Sequence, residues 1–440
     1  MNREEMNRLG WNELDVLLIS GDAYVDHPTF GVALLGRWLN SHGYRVGIVA
    51  QPRWDSADDI KRMGRPRLFV GVTAGALDSM LAHYTAFRKK RGDDAYTPGG
   101  RAGARPNRAT IVYVNLARSA FPGTPVVIGG IEASLRRATH YDFWADGLRR
   151  SLLLDAKADL LLYGMAERGI LEVARRLNET SSEKNPNLLT GIAGSAFIVN
   201  EIPRELIGDS VLLETPSHEE IVADAKKLMT ATLTLERQVH IGAWASQSVG
   251  NRTVMFSPPP SPLTLDEMDA LYELPFTREA HPAYRETIPA VEMIKFSITS
   301  HRGCAGGCSF CSLALHQGRR IQSRSRSSIL SETEQLVQRK DWKGSVSDIG
   351  GPSANMWGGQ CENKPGVCKR VSCLYPSPCR YFKVDQSAIA RLLLDVKKTP
   401  GVRHVRVASG IRHDLALLEP KYIAEVAKHF TGMLAIMCCD

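Results

Sequence analysis

Met293–Arg326 reads MIKFSITSHRGCAGGCSFCSLALHQGRRIQSRSR, and three of its residues, Cys304, Cys308 and Cys311, fall in a C-x3-C-x2-C spacing. Just upstream, Ile294, Phe296 and Ile298 alternate with polar residues, the period of a half-buried strand. The cysteines therefore belong to a loop at the carboxyl end of a strand, where α/β folds place their chemistry. Three thiolates on one short loop suit three irons of a cubane cluster and leave the fourth iron open to a substrate. The competing reading is a zinc knuckle, which takes four protein ligands, with His301 or His316 as the fourth.

Gly303, Gly306 and Gly307 let the backbone approach a bulky group closely, and Phe310 immediately precedes the last cysteine. With the preceding strand, this matches the C-x3-C-x-aromatic-C signature and resembles the radical S-adenosylmethionine (radical SAM) enzymes. The resemblance narrows with RGCAGGCSFCSLALHQGRRIQSRSRSSILSE (302–332), AYVDHPTFG (23–31) and PFTREAHPAY (275–284). Together these are similar to the YgiQ family, radical SAM proteins of unassigned substrate, over nearly the whole chain. The resemblance implies a [4Fe-4S] cluster on Cys304, Cys308 and Cys311, with the amino and carboxylate groups of SAM on the fourth iron. One electron would then cleave SAM to methionine and a 5′-deoxyadenosyl radical, which takes hydrogen from an unactivated carbon of a substrate the sequence does not name. It further implies Phe310 near the adenine, Gly350 and Gly351 at the SAM amino group, Arg324 or Arg326 at its carboxylate, and a reductase or flavodoxin-type electron donor.

The chain has 440 residues, 43% hydrophobic and 23% charged, ordinary values for a globular protein with room for two or three domains. Its start, MNREEMNRLGWNELD, lacks the apolar core of a secretory signal, and no apolar run approaches a membrane span. Nine cysteines, an odd number in short-spaced groups, fit metal ligation in a reducing cytoplasm better than a disulfide framework. A net charge of +8 is compatible with an acidic partner such as nucleic acid. That keeps open a radical SAM methyltransferase or methylthiotransferase acting on RNA, served by the basic stretch Arg88–Arg108, whose default reading is a solvated loop. A non-catalytic zinc- or iron-binding module, or an inactive fragment, is the alternative from another class.

The fold class expected is α/β. Residues 1–195 read as a Rossmann-like, doubly wound parallel sheet, with apolar strands at Asp15–Ile19, 43–49, Leu68–Val72, Pro125–Ile128 and Asp159–Tyr163. No G-x-G-x-x-G follows the first strand, which argues against a nicotinamide cofactor. A cobalamin motif, D-x-H-x-x-G, is nearly met by Asp26–Gly31, but His27 stands one position early and Pro28 takes the ligand position. A turn is the preferred reading there, and cobalamin without an axial histidine the lesser one. Thr180–Asn187 is expected to be a surface loop. Residues 196–290 read as a Pro-rich connector, with a capped helix running from Ser217 to about Gln238.

Residues 291–440 are expected to form a radical SAM core with about four of the superfamily's six β/α units, so the chain looks truncated at its carboxyl end. After the cluster loop come a helix near Ser328–Arg339, a strand ending at Gly350-Gly351, a helix over Asp385–Lys398, and strands at His404–Ala408 and Met433–Met437. Arg412, His413 and Asp414 sit at a strand end, where cofactor or substrate contacts are expected. Cys361, Cys368, Cys373 and Cys379 fall within an aperiodic stretch and suggest a second site, for zinc or an auxiliary iron–sulfur cluster.

Overall fold

A computed structural model describes residues 1–179, 187–363, 368–429 and 436–437. The expected loop at Thr180–Asn187 and the terminal Cys438-Cys439-Asp440 lie almost wholly outside those residues. The chain divides into two compact units, one of Met1–Pro260 with Glu279–Pro289, the other of Ser261–Arg278 with Ala290–Asp440.

The first unit is built on a nine-stranded sheet. Its strands are β1 (Leu14–Ser20), β2 (Val46–Ala50), β3 (Pro66–Thr73), β4 (Val126–Ile128), β7 (Leu160–Leu162), β8 (Ser195–Val199), β9 (Leu212–Glu214), β10 (Trp244–Val249) and β11 (Arg252–Phe256). A side hairpin is formed by β5 (His140–Asp142) and β6 (Gly147–Arg149). The sheet order is β2-β1-β3-β4-β7-β8-β11-β10-β9. Pairing is parallel from β2 through β7 and antiparallel where β8 joins β7 and where β11 joins β8 and β10. Alternate residues of β1 serve opposite faces: Leu17 and Ile19 pack into one core, Val16 and Leu18 into the other. Burial on both faces is why these strands read as unbroken apolar runs.

Three expectations are corrected here. Residues 196–290 are not a connector, because β8 to β11 complete the sheet, although the Pro258–Pro262 run and residues 273–288 are irregular. The helix opening at Ser217 does carry its capping box with Glu220, but it ends at Ala223, and a second helix runs Lys227–Ile241. The basic stretch from Arg88 is not wholly solvated, since Arg105 is fully buried.

Arg105 lies near the switch point between β1 and β3, where a doubly wound sheet opens a crevice. Its Nε and Nη2 donate to Asp94, and its Nη1 donates to the Ala74 carbonyl at 3.0 Å while standing 2.8 Å from Asp22 Oδ1. Burial pushes the Asp22 carboxyl up to about 6, although Arg105 pulls the other way. Gly21 is required here, since a Cβ would sit 2.1 Å from the Ala74 carbonyl oxygen. His27 is buried, with Nδ1 bonded to the Thr29 hydroxyl and backbone N–H.

The second unit carries short parallel ladders. β12 (Ser297–Thr299) pairs with β16 (Asp348–Gly350), β15 (Ser345–Val346) with β19 (His404–Val405), and β20 (Ile411–Arg412) with β21 (Ile436–Met437). β15 and β16 flank Ser347, and the Ile349 N–H donates to the Arg406 carbonyl, so the ladders of β12, β15–β16 and β19 continue one another. Antiparallel pairs join β13 (His301–Arg302) to β14 (Gln322–Ser323) and β17 (Gln360–Cys361) to β18 (Phe382–Lys383). Helices Arg326–Val337 and Gln386–Lys398 cover the parallel strands, with Ile329, Leu336, Ile389, Leu393 and Val396 buried against Ile298, Ile349 and Val405.

Candidate metal centre

The cysteine loop leaves β13 and returns at β14, so the antiparallel pairs His301–Ser323 and Arg302–Gln322 pin both its feet. Inside it, the Cys304 N–H donates to the Gly318 carbonyl at 3.1 Å, and the Gly303 N–H to Gln317 Oε1 at 3.1 Å. Gly303 has φ of +86°, and a Cβ on it would lie 2.2 Å from the Arg320 carbonyl oxygen, so the return of the loop depends on glycine. The Cys311 N–H closes a turn onto the Cys308 carbonyl at 3.1 Å, which sets the last two cysteines on one turn.

All three thiols are partly accessible. A Cβ at Gly306 would be 3.4 Å from Cys304 Sγ and 3.6 Å from Cys308 Sγ, so both sulfurs border the same bare stretch of backbone. Burial raises the Cys304 thiol above its ordinary value, a Gly306 backbone contact opposes this, and the charges of Cys308 and Cys311 raise it further. Among the described residues, no three His, Cys, Asp or Glu side chains stand in a metal-holding arrangement. The donors themselves fit an iron–sulfur cluster: three neighbouring soft thiols and glycines that leave room beside them.

A cation from a distant strand faces this loop. Arg412, at the end of β20, donates from Nη1 to Cys308 Sγ at 3.0 Å. Its Nε donates to Asp414 Oδ1 at 3.2 Å, and Nη2 also bonds that carboxylate. Burial opposes the Arg412 charge, yet Asp414 and the sulfurs outweigh it and hold the guanidinium above its ordinary pKa. Its backbone is bracketed by the buried Asn355, which accepts from the Arg412 N–H at 2.8 Å and donates to the Arg412 carbonyl at 2.9 Å. The sequence marked Arg412 as a strand-end residue; Asn355 gave no signal, because its partner lies 57 positions away.

The other expected contacts fare differently. Phe310 stands beside Cys311 and is 67% exposed. Gly351 is demanded by packing, since a Cβ would meet the His301 carbonyl at 2.6 Å and ring atoms of His301 at 2.8 Å. The Gly350 carbonyl, expected to receive an ammonium, already accepts from the Ser300 N–H at 2.8 Å and the Ser300 hydroxyl at 3.2 Å. Arg324 is not poised for a carboxylate ligand. It is fully buried, bonded to Thr299 O, Ser328 Oγ and Glu332, and stacked on Tyr272 with its Cζ 4.7 Å from the ring centroid. Glu332 also pairs with Arg278, so this carboxylate joins two buried guanidiniums. Arg326 instead binds Asp395 at 2.9 Å on the outer face of its helix.

The chain matches the family model described as radical SAM N-terminal over residues 1–297. It is 51% identical to the UPF0313 protein of Geobacter sulfurreducens, covering 99% of this chain and 71% of that one. The UPF0313 proteins of Thermotoga neapolitana and Methanosarcina mazei are 48% and 43% identical, again over 99% of this chain and about three quarters of theirs. A solved structure of the radical SAM methyltransferase TsrM from Kitasatospora setae, with tryptophan substrate and a SAM analogue bound, aligns at a TM-score of 0.47 and 15% identity. That alignment covers 93% of this chain, which spans 57% of the TsrM chain. The class defined by the family match and the cysteine loop is that of the radical SAM enzymes, whose chemistry uses a [4Fe-4S] cluster and SAM. Within it, the chain belongs to the UPF0313, or YgiQ, family. Among the described residues, no helix is long and apolar enough to cross a membrane.

Proposed function

We propose that Cys304, Cys308 and Cys311 ligate three irons of a [4Fe-4S] cluster and that the chain generates a 5′-deoxyadenosyl radical from SAM for use on a substrate still to be identified. The observation that carries this reading is the Arg412 contact: a guanidinium from β20 placed 3.0 Å from Cys308 Sγ, on the loop that bears all three cysteines. When bound, the cluster supplies one electron to the sulfonium of SAM, the cofactor chemistry of the class. The protein's own part is positional. The β13–β14 ladder fixes the loop, Arg412 donates to Cys308 Sγ, and exposed Phe310 offers a ring face beside the ligands. The Gly351 backbone remains our candidate for the SAM amino group. An external one-electron donor of the flavodoxin type completes the reading.

Electron paramagnetic resonance of the anaerobically reconstituted, reduced protein tests it. A cluster signal that shifts on adding SAM supports the proposal, and Cys308→Ala should abolish it. Unchanged iron content in Cys308→Ala would sink the ligand assignment.

A further inference from the structure

The four remaining described cysteines stand apart from the three-thiol loop in sequence, but consecutive hydrogen bonds draw them together. Cys361 on β17 pairs with Phe382 on β18. The Phe382 N–H donates to the Cys379 carbonyl at 2.9 Å, and the Cys379 N–H to the Cys373 carbonyl at 2.7 Å. Arg370, two residues after Cys368, gathers the loop by donating to the carbonyls of Ser372 at 2.9 Å, Tyr375 at 2.8 Å and Ser377 at 2.5 Å. Exposure is graded: Cys361 is exposed, Cys368 and Cys379 are partly covered, and Cys373 is buried. Cys373 sits in a small buried cluster with Ala305 and Leu374, and Cys379 and Phe382 pack against it.

Arg319 supplies an independent observation. Its Nη1 donates to the Arg370 carbonyl at 2.9 Å, whereas Nε and Nη2 are shut off from solvent and have no hydrogen-bond partner. Leaving buried N–H donors unsatisfied forfeits their solvation without return. A centre ligated by four thiolates carries a net charge of about −2, whether it is zinc or a four-iron cluster, and its sulfurs accept such donors.

We propose that Cys361, Cys368, Cys373 and Cys379 bind a second metal centre through four thiolates, with Arg319 as its outer hydrogen-bond donor. The site abuts the first one. The Cys373 N–H donates to the carbonyl of buried Ala305 at 3.0 Å, and a Cβ at Gly307 would lie 2.7 Å from the Val371 carbonyl oxygen. The second centre thereby clamps the loop that bears Cys304, Cys308 and Cys311.

The test is metal and acid-labile sulfide analysis of the full chain, produced anaerobically with Cys304, Cys308 and Cys311 all changed to Ala. Retention of one zinc per chain, or of iron and sulfide in cluster proportion, supports the proposal and says which metal it is; neither metal above trace overturns it. Cys361→Ser in the otherwise native chain is the second arm, chosen because Cys361 is exposed and its loss spares the packing. It should lose the second metal while the first cluster keeps its paramagnetic signal, and an unchanged metal content overturns the proposal. The inference is independent of the SAM reading, since a second metal retained beside a SAM-indifferent first cluster leaves it intact.

Discussion

Arg412 and Cys308, 104 positions apart, meet as donor and acceptor at 3.0 Å, and Asp414 holds the guanidinium in that pose. Hydrogen bonds and positive charge at a cluster sulfur stabilise the reduced state, which carries the extra electron. Arg412→Leu should therefore make the reduction potential more negative, by an amount on the order of tens of millivolts. A redox titration followed by paramagnetic resonance measures this, and a potential that does not move would remove Arg412 from the electrostatics of the site.

Gly303 offers a steric test of the loop. Its φ is +86°, and the Arg320 carbonyl oxygen lies 2.2 Å from where a Cβ would stand, which leaves no room for a side chain. Gly303→Ala should lower stability by about 1–3 kcal/mol and reduce iron retained per chain after reconstitution. Denaturant unfolding and iron analysis read the two effects separately.

His301 predicts a pH dependence. Burial holds its imidazole down to about 4, whereas the unfolded chain takes up that proton near 6.5. Between those values the unfolded state binds more protons, so stability from this residue is complete above about pH 6.5 and is lost as pH falls toward 4. The loss amounts to about 3 kcal/mol at most. His301→Gln should flatten this acid limb, as measured by urea midpoints at pH 7, 6 and 5 for both proteins.

In the first unit, Arg105 neutralises two buried carboxylates, Asp22 and Asp94. Arg105→Leu strands both, at a cost of about 3–5 kcal/mol near neutral pH. The sign with pH is opposite to that of His301. The Asp22 carboxyl is already raised to about 6, and removing the cation raises it further. The folded variant then binds more protons than the unfolded chain, and its stability should fall as pH rises through that range. Thermal melts of the variant from pH 5 to 8 provide the measurement.

The parallel strands of the first unit were legible because burial on both faces writes them as apolar runs, as in Leu68–Val72. The strands that close the same sheet were not. Trp244–Val249, WASQSV, buries Ser246 and Gln247, and Gln247 is reconciled to burial by accepting from the Thr139 N–H at 2.7 Å and donating to the Pro216 carbonyl at 3.2 Å, long-range contacts with no local trace. The cysteine loop was legible from its spacing together with the strand before it. Arg324 was misread because sequence proximity to the loop says nothing of direction: its side chain turns into the core toward Glu332 and Tyr272. Asn355 escaped for the same reason as Gln247, its role being defined by a backbone that arrives much later in the chain.

The division of the chain into Met1–Pro260 with Glu279–Pro289 and Ser261–Arg278 with Ala290–Asp440 has a consequence for how such a protein can be rearranged. The polypeptide changes unit three times, so a single recombination crossover cannot exchange one unit and leave the other whole. A break after Pro260 takes from the first unit the Glu279 carbonyl that receives the Asp26 N–H, the Tyr284 hydroxyl on the Tyr24 N–H and the Thr287 carbonyl on the Gly99 N–H. A break at Pro289 takes from the second unit Tyr272, on which Arg302 and Arg324 both rest. The nine-stranded sheet and the cysteine-bearing unit are thus stitched into one heritable piece, and modular shuffling of either would need three simultaneous cuts.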